Sequence, residues 1–209
     1  MNKNSLPRKV ESIIAILKSH YKPFEFSSRD PFKVLITTIL SQRTRDENTA
    51  LASKRFFEVV RSPEDVLKLD PKIIEETIKP SGFYKVKAKR IIEISKQLVN
   101  NYGSKVPFKK EELLKFKGVG RKTANAVSAF AFNKPAIVVD THVHRISNRL
   151  GLINSKNPEQ TEYELSKIVP KKYWILINKL FVIHGQKICR PINPKCSECK
   201  ITNFCDKKI

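Results

Sequence analysis

Four cysteines form the group of residues whose spacing most clearly suits chemistry. They are Cys189, Cys196, Cys199 and Cys205, and no cysteine precedes them. Four thiolates in one loop can hold zinc or carry a 4Fe–4S cluster. A zinc ribbon usually has two close cysteine pairs, whereas only Cys196 and Cys199 are close here, but the spacing alone leaves both metals open. Disulfides are less favoured because we expect an intracellular, reduced protein.

Lys122 and Asp140 form a second group, a potential nucleophile and a carboxylate. A helix of about twelve residues that carries Lys122 in its first turn is roughly 18 Å long. Residues 133–139, which follow it, can extend over at most about 25 Å, so the chain can return and bring Asp140 near Lys122. The amine could attack carbon while the carboxylate assists proton transfer. From the residues alone, a surface lysine and an N-cap aspartate remain open alternatives.

The segment around Lys122 predicts two helices joined by a glycine turn. A short helix around Leu113 and Phe116 should stop at Gly118, and Gly118 and Gly120 permit the tight turn that follows. The second helix would then expose backbone N–H groups at its N-terminus, where the helix dipole also favours an anion. Such a hairpin binds phosphate without reading bases, although a plain turn between helices is the alternative.

Capping residues and periodicity predict an almost entirely helical chain around these groups. Ser62 and Asp70, each followed by proline, predict the starts of two short helices. Thr44 and Glu47 predict a capping box at the start of another helix, with Thr44 as the N-cap. Only residues 136–139 are typical of extended chain, and they are too few for a sheet. The expected fold class is therefore all-α.

Two of these motifs resemble a known family. LLKFKGVGRKTANAV, followed by VVDTHVHRISNRLGL, is closely similar to the helix–hairpin–helix DNA glycosylases, and among them to the endonuclease III group, from about Leu35 to Cys205. The resemblance implies double-stranded DNA with damaged bases or abasic sites as the partner. It also implies two helical subdomains with a DNA cleft between them.

The resemblance implies one continuous subdomain and one subdomain made of two separate stretches of the chain. One comprises residues 24–132 and includes the helix–hairpin–helix at 111–132. The other comprises residues 1–23 and 133–209 and includes the iron–sulfur loop at 189–205.

The resemblance also implies roles for both reactive groups. It matches Lys122 and Asp140 to the catalytic lysine and aspartate of the family, and the four cysteines to its 4Fe–4S cluster. The lysine implies a bifunctional DNA glycosylase/AP lyase that removes oxidised pyrimidines and cleaves the strand by β-elimination. Two alternatives stay open: a monofunctional mismatch or purine glycosylase, and a non-enzymatic DNA-binding module with a zinc-stabilised tail.

Three segments are expected to contact DNA on the same ground. Phe83 stands at the position of an apolar wedge, with a core position as the alternative. Arg43 stands where the family usually has a glutamine and Gln42 lies one place earlier, so either could fill the stack that an extruded base leaves. A cap of the preceding helix is the alternative role for Gln42. The hairpin would contribute Gly118, Val119, Gly120 and Arg121.

The charge of the chain favours the same class of partner. Lysine and arginine total 41 against 20 acidic residues, a formal net charge of +21. Such an excess favours a polyanion such as nucleic acid, although a basic surface kept for solubility is the alternative. The sequence has no apolar run long enough for a membrane span and no secretory signal. We therefore expect an intracellular protein with no membrane partner. We further expect it to be monomeric, cytoplasmic and nucleoid-associated in a prokaryote.

Overall fold

The computed structural model describes residues 5–23 and 28–206, and these residues contain helices and no β-strand. The all-α prediction is confirmed. None of the helices found there is long and apolar enough to span a membrane. The α-helices of the described residues are α1 (Ser5–His20), α2 (Pro31–Ser41), α3 (Asp46–Val59), α4 (Pro63–Lys68), α5 (Pro71–Thr77), α6 (Tyr84–Tyr102), α7 (Lys110–Leu113), α8 (Arg121–Phe130), α9 (Thr141–Arg149), α10 (Pro158–Ile168) and α11 (Trp174–Lys187).

The chain forms two compact units, each with its own core. The hairpin unit is Phe26–Lys134, and the cysteine unit is Met1–Glu25 with Pro135–Ile209. The boundary that the sequence predicts between residues 23 and 24 lies outside the described residues.

Buried aliphatic and aromatic side chains fill each core separately. In the hairpin unit, α2, α3 and α6 contribute many of them, which include Leu35, Ile36, Phe56, Ile91 and Leu98. In the cysteine unit, α1, α9 and α11 contribute residues that include Ile13, Leu17, Val143, Ile177 and Phe181.

Local capping explains where several helices begin. Ser62 and Asp65 form a complete capping box before α4, and the Asp70 side chain accepts from the Lys72 N–H before α5. Both predicted starts are confirmed. Each satisfies an N–H group that has no partner within its helix.

Two local predictions are wrong. Arg45 and not Thr44 is the N-cap of α3, because the Thr44 hydroxyl hydrogen-bonds to a neighbouring turn. The first hairpin helix, α7, ends at Leu113 and not at Gly118, and turns occupy the residues between. Residues 136–139 form no strand, as expected.

Candidate active site, DNA-contact turns and cysteine loop

The hairpin places a bare helix N-terminus at the start of α8. Gly120 is the N-cap of α8, and no side chain among the described residues caps it. The first backbone bond of the helix runs from the Ala124 N–H to the Gly120 carbonyl, at 2.9 Å. The preceding N–H groups therefore face away from the helix ladder and can bind an anion.

Gly118 is required at its position for two reasons. Its φ of +85° lies in the left-handed region. A Cβ at Gly118 would also lie 2.7 Å from Cδ of Arg90. Val119 shapes the same turn from inside, because its side chain is buried and its N–H donates to the Phe116 carbonyl at 3.0 Å. Val119 is one of the predicted DNA contacts, but its side chain is buried and its N–H is hydrogen-bonded within the hairpin unit.

Lys122 is the exposed lysine in the first turn of α8. The next residue, Thr123, is buried, and the rest of α8 through Ala129 packs into the core. A rigid helix therefore carries an amine that reaches solvent.

Asp140 is held firmly in the cysteine unit. It is the N-cap of α9, and its Oδ1 accepts from the N–H groups of His142 and Val143 at 2.9 and 2.8 Å. The preceding segment is buried, and the Asn178 amide donates to the Val138 carbonyl at 3.0 Å. The N-cap role is therefore present, and because Oδ1 takes both capping bonds it leaves the second oxygen, Oδ2, for other chemistry.

Phe83 and Arg43 occupy the tips of two turns of the hairpin unit. The Phe83 turn is residues 78–83, and the Arg43 turn is residues 42–45. Phe83 is 62% exposed, so its core alternative is wrong. The Arg43 guanidinium carbon lies 5.8 Å from the Phe83 ring centroid. Both residues have positive φ, 59° and 51°, which is unusual for side chains of this size.

Gln42 has a different environment from its neighbour. Its Nε2 donates to the Gly118 carbonyl at 3.0 Å and to the Thr123 hydroxyl at 3.3 Å. The Gln42 Oε1 accepts from Arg90 at 3.4 Å. This amide therefore ties the Arg43 turn to the hairpin, while the side chain of Arg43 is exposed.

Lys87 is a functional candidate that sequence reasoning missed. Its side chain is 2% exposed, and its ammonium lies between the Arg43 turn and the Phe83 turn. Burial, followed by the charge of Arg90, lowers the pKa of Lys87 to about 8. In a sequence this rich in lysine, nothing in the local pattern separates Lys87 from surface lysines.

All four cysteines line one pocket of the cysteine unit. Cys189, Cys196, Cys199 and Cys205 share it with apolar side chains such as Ile201, and none forms a disulfide among the described residues. The space among the side chains that line it, open solvent included, is about 440 Å³. No three His, Cys, Asp or Glu side chains in the described part of the chain converge as ligands of a single metal ion.

Arginines bind the start of the cysteine loop. Arg149 donates to the Arg190 carbonyl at 2.7 Å and to Sγ of Cys189 at 3.5 Å. Arg145 donates to the Cys189 carbonyl at 2.8 Å. Burial, together with the neighbouring thiols, raises the pKa of the Cys199 thiol. A raised pKa favours the neutral thiol. A bound metal cation would instead favour the thiolate, because metals bind cysteine in that form.

The chain is similar in sequence to a family of base excision repair proteins. A family model described as "HhH-GPD superfamily base excision DNA repair protein" matches residues 36–171. Endonuclease III of Thermotoga maritima is 54% identical over 184 residues, which cover 88% of this chain and 86% of that protein. Endonuclease III of Bacillus subtilis is 37% identical over 87% of this chain and 83% of that protein.

Solved structures agree with the sequence comparison. A trapped endonuclease III–DNA covalent intermediate superposes with a TM-score of 0.89 at 33% identity, covering 99% of this chain and 97% of that one. A thermostable thymine-DNA glycosylase superposes with a TM-score of 0.84 at 28% identity, covering 96% of each chain. The chain therefore belongs to the HhH-GPD superfamily of base excision DNA repair proteins.

Proposed function

We propose that this protein is a bifunctional DNA glycosylase and AP lyase of the endonuclease III type, which removes oxidised pyrimidines from double-stranded DNA. The observation that carries the proposal is the exposed amine of Lys122 in the first turn of α8, next to an uncapped helix N-terminus. The N-terminus suits a DNA phosphate, and the amine suits attack on the sugar beside it. The similarity to a trapped endonuclease III–DNA covalent intermediate supports the same chemistry.

In the proposed reaction, Lys122 is the nucleophile. Its neutral amine forms a bond to the sugar C1′ as the bond from C1′ to the base breaks, and the departing base takes up a proton. Opening of the sugar ring then gives a protonated Schiff base. Loss of a C2′ proton expels the 3′ phosphate by β-elimination, and water finally hydrolyses the Schiff base to release the lysine.

Asp140 is the proposed partner in this step. A carboxylate stabilises the positive charge that develops on the sugar and can accept or return protons. Two backbone N–H groups hold Oδ1 of Asp140, so the side chain has one orientation before DNA binds.

Four residues of the hairpin and the two turn tips form the proposed DNA contacts. Gly118, Val119, Gly120 and Arg121 shape and line the phosphate site. Phe83 enters the stack as the wedge. Arg43, and not Gln42, fills the emptied position, because hydrogen bonds to the hairpin occupy the Gln42 amide.

The four cysteines are proposed to hold a 4Fe–4S cluster. All four line one pocket, and four cysteine thiolates are the ligand set that such a cluster requires. When bound, the cluster supplies structural cross-linking of the loop. The exposed Arg190, Lys195 and Lys200 of that loop would then meet the DNA backbone without reading sequence.

The proposal includes a cellular setting and an assembly state. We propose a monomer that acts on chromosomal DNA, and the bacterial endonuclease III relatives support the prokaryotic setting.

The experiment is a panel of duplexes, each with a single lesion, incubated with the wild-type protein and with Lys122→Gln. We expect base release and strand cleavage at oxidised pyrimidines for the wild type, and neither for Lys122→Gln. Lys134→Gln is the matched control, since Lys134 is also exposed in the same unit. Base release without strand cleavage by the wild type would instead indicate a monofunctional glycosylase.

A further inference from the structure

Lys87 lies where two turns of the hairpin unit meet. Its Nζ donates to the carbonyls of Leu40 and Gln42 at 2.7 and 2.6 Å. It also donates to the hydroxyls of Thr44 and Ser81, both at 2.8 Å. The three N–H groups of the ammonium are thus shared among four oxygen acceptors. Leu40, Gln42 and Thr44, which lead into or lie in the Arg43 turn, provide three of these oxygens, and Ser81 of the Phe83 turn provides the fourth.

Further contacts hold the two turns at a fixed distance. The Thr44 hydroxyl accepts from the Gly82 N–H at 3.1 Å, and Ser81 donates to the Leu40 carbonyl at 3.0 Å. A Cβ at Gly82 would lie 3.0 Å from the Arg43 carbonyl oxygen. A side chain at position 82 would therefore push the two turns apart, and the hydrogen bonds keep them from separating.

The tips of both turns have backbone conformations that need support. Arg43 and Phe83 are non-glycine residues in the left-handed region, with φ of 51° and 59°. Such residues persist where the surrounding structure determines them, and they cluster at functional sites. The polar centre that joins the two turns is the Lys87 ammonium.

Stability alone does not explain why a charged lysine is buried at this position. Burying the ammonium opposes folding, and an apolar side chain would fill the same space. Four short hydrogen bonds to one ammonium instead fix geometry, and they fix it directly beneath the exposed Phe83 and Arg43.

We propose that Lys87 is a positioning residue that locks the Arg43 turn to the Phe83 turn, so that both tips enter the DNA stack together when a base is extruded. The inference rests on the proposed function for its DNA substrate. Beyond that function, it requires Phe83 and Arg43 to enter the DNA stack together, and neither is sufficient by itself. Extruding a base requires unstacking and unpairing, and tips that are already in place can fill the vacated space without first being ordered.

The test measures unstacking apart from catalysis. A duplex carries 2-aminopurine beside a non-cleavable abasic analogue, and its fluorescence is measured at saturating protein. We expect Lys87→Met to bind but to give at most about half of the wild-type fluorescence rise. Thr44→Val, which removes an acceptor shared by Lys87 and Gly82, should lower the rise in the same direction and keeps the test decisive if Lys87→Met does not fold.

Ile94→Ala is the matched control. Ile94 is buried in the core on the same helix, α6, and its truncation should lower Tm without touching either turn. We expect Ile94→Ala to keep the full fluorescence rise. An unchanged rise in Lys87→Met, or in Thr44→Val where the first variant does not fold, would overturn the inference.

A second readout uses catalysis. Single-turnover base release is compared for one lesion in a paired site and in an already unstacked bulge. We expect Lys87→Met to slow the paired site roughly ten-fold more than the bulge, because the bulge needs little opening. Equal slowing of both would contradict the positioning role. A wild-type protein that unstacks 2-aminopurine but releases no base would refute the proposed function alone.

Discussion

At the scale of single residues, two lysines of the hairpin unit have opposite environments. Lys122 is exposed at the start of α8, whereas Lys87 is buried beneath two turns. The sequence predicted a role for Lys122 because a motif surrounds it. It did not indicate Lys87, since three of the four oxygens around that ammonium come from residues distant in the sequence, namely Leu40, Gln42 and Thr44.

Asp140 allows capping and catalysis to be separated by substitution. Asparagine caps a helix about as well as aspartate, whereas alanine loses about 1 kcal/mol of stability. We expect Asp140→Asn to keep its Tm and to lose roughly 10²-fold or more in the rate of base release. Asp140→Ala should lose both. Full activity in Asp140→Asn would show that Asp140 is only an N-cap.

The buried ammonium of Lys87 predicts a pH dependence of stability. Its pKa is about 8 in the folded protein, because of burial and the nearby Arg90, and near the ordinary lysine value when unfolded. The unfolded chain therefore binds more protons between about pH 8 and pH 10.5, and stability rises with pH in that window. Urea unfolding should show the free energy of unfolding of the wild type rising relative to Lys87→Met. A constant difference across that window would contradict this pKa.

At the scale of elements, capping chemistry predicted some helix starts and missed one. Ser62 caps α4 as expected because its partners are local. Thr44 does not cap α3, since the Gly82 N–H and the Lys87 ammonium, both distant in sequence, hydrogen-bond to its hydroxyl instead. The local sequence allowed the Thr44 hydroxyl either to cap α3 or to bind elsewhere, and partners distant in sequence determined that it does not cap the helix.

The two hairpin glycines should respond differently to alanine. Gly118→Ala meets a positive φ and the Arg90 side chain, so we expect a clear loss of Tm. A Cβ at Gly120 meets no described atom within 4 Å, so Gly120→Ala should fold normally. Because that Cβ projects at the proposed phosphate site, its affinity for DNA should still fall. Gly103→Ala, a C-cap with positive φ, is the control that should lose stability alone. Unchanged DNA affinity in Gly120→Ala would count against phosphate binding there.

At the scale of the whole molecule, the net charge of +21 and the fold class were both accessible from sequence. The family likeness rests on long motifs around Lys122 and Asp140, and the comparisons confirm the family. The sequence left the choice between Gln42 and Arg43 open, because it depends on the bonds from Gln42 to Gly118 and Thr123.

The cysteine loop predicts how the whole protein responds to loss of iron. We expect the purified wild type to be yellow-brown with about four irons per chain. Cys199→Ser should lose the colour and lower Tm, because the loop packs on the core through Ile201. Ser197→Ala, an exposed change in the same loop, should alter neither. A colourless wild type with one zinc per chain would contradict the cluster.

The central claim is that Lys122 bonds covalently to DNA. The direct measurement is borohydride trapping on a duplex with an abasic site, followed by peptide mass spectrometry of the adduct. We predict a reduced adduct on the peptide that contains Lys122, and no adduct with Lys122→Gln. An adduct on another residue, or none at all with wild-type protein that still releases bases, would contradict the account.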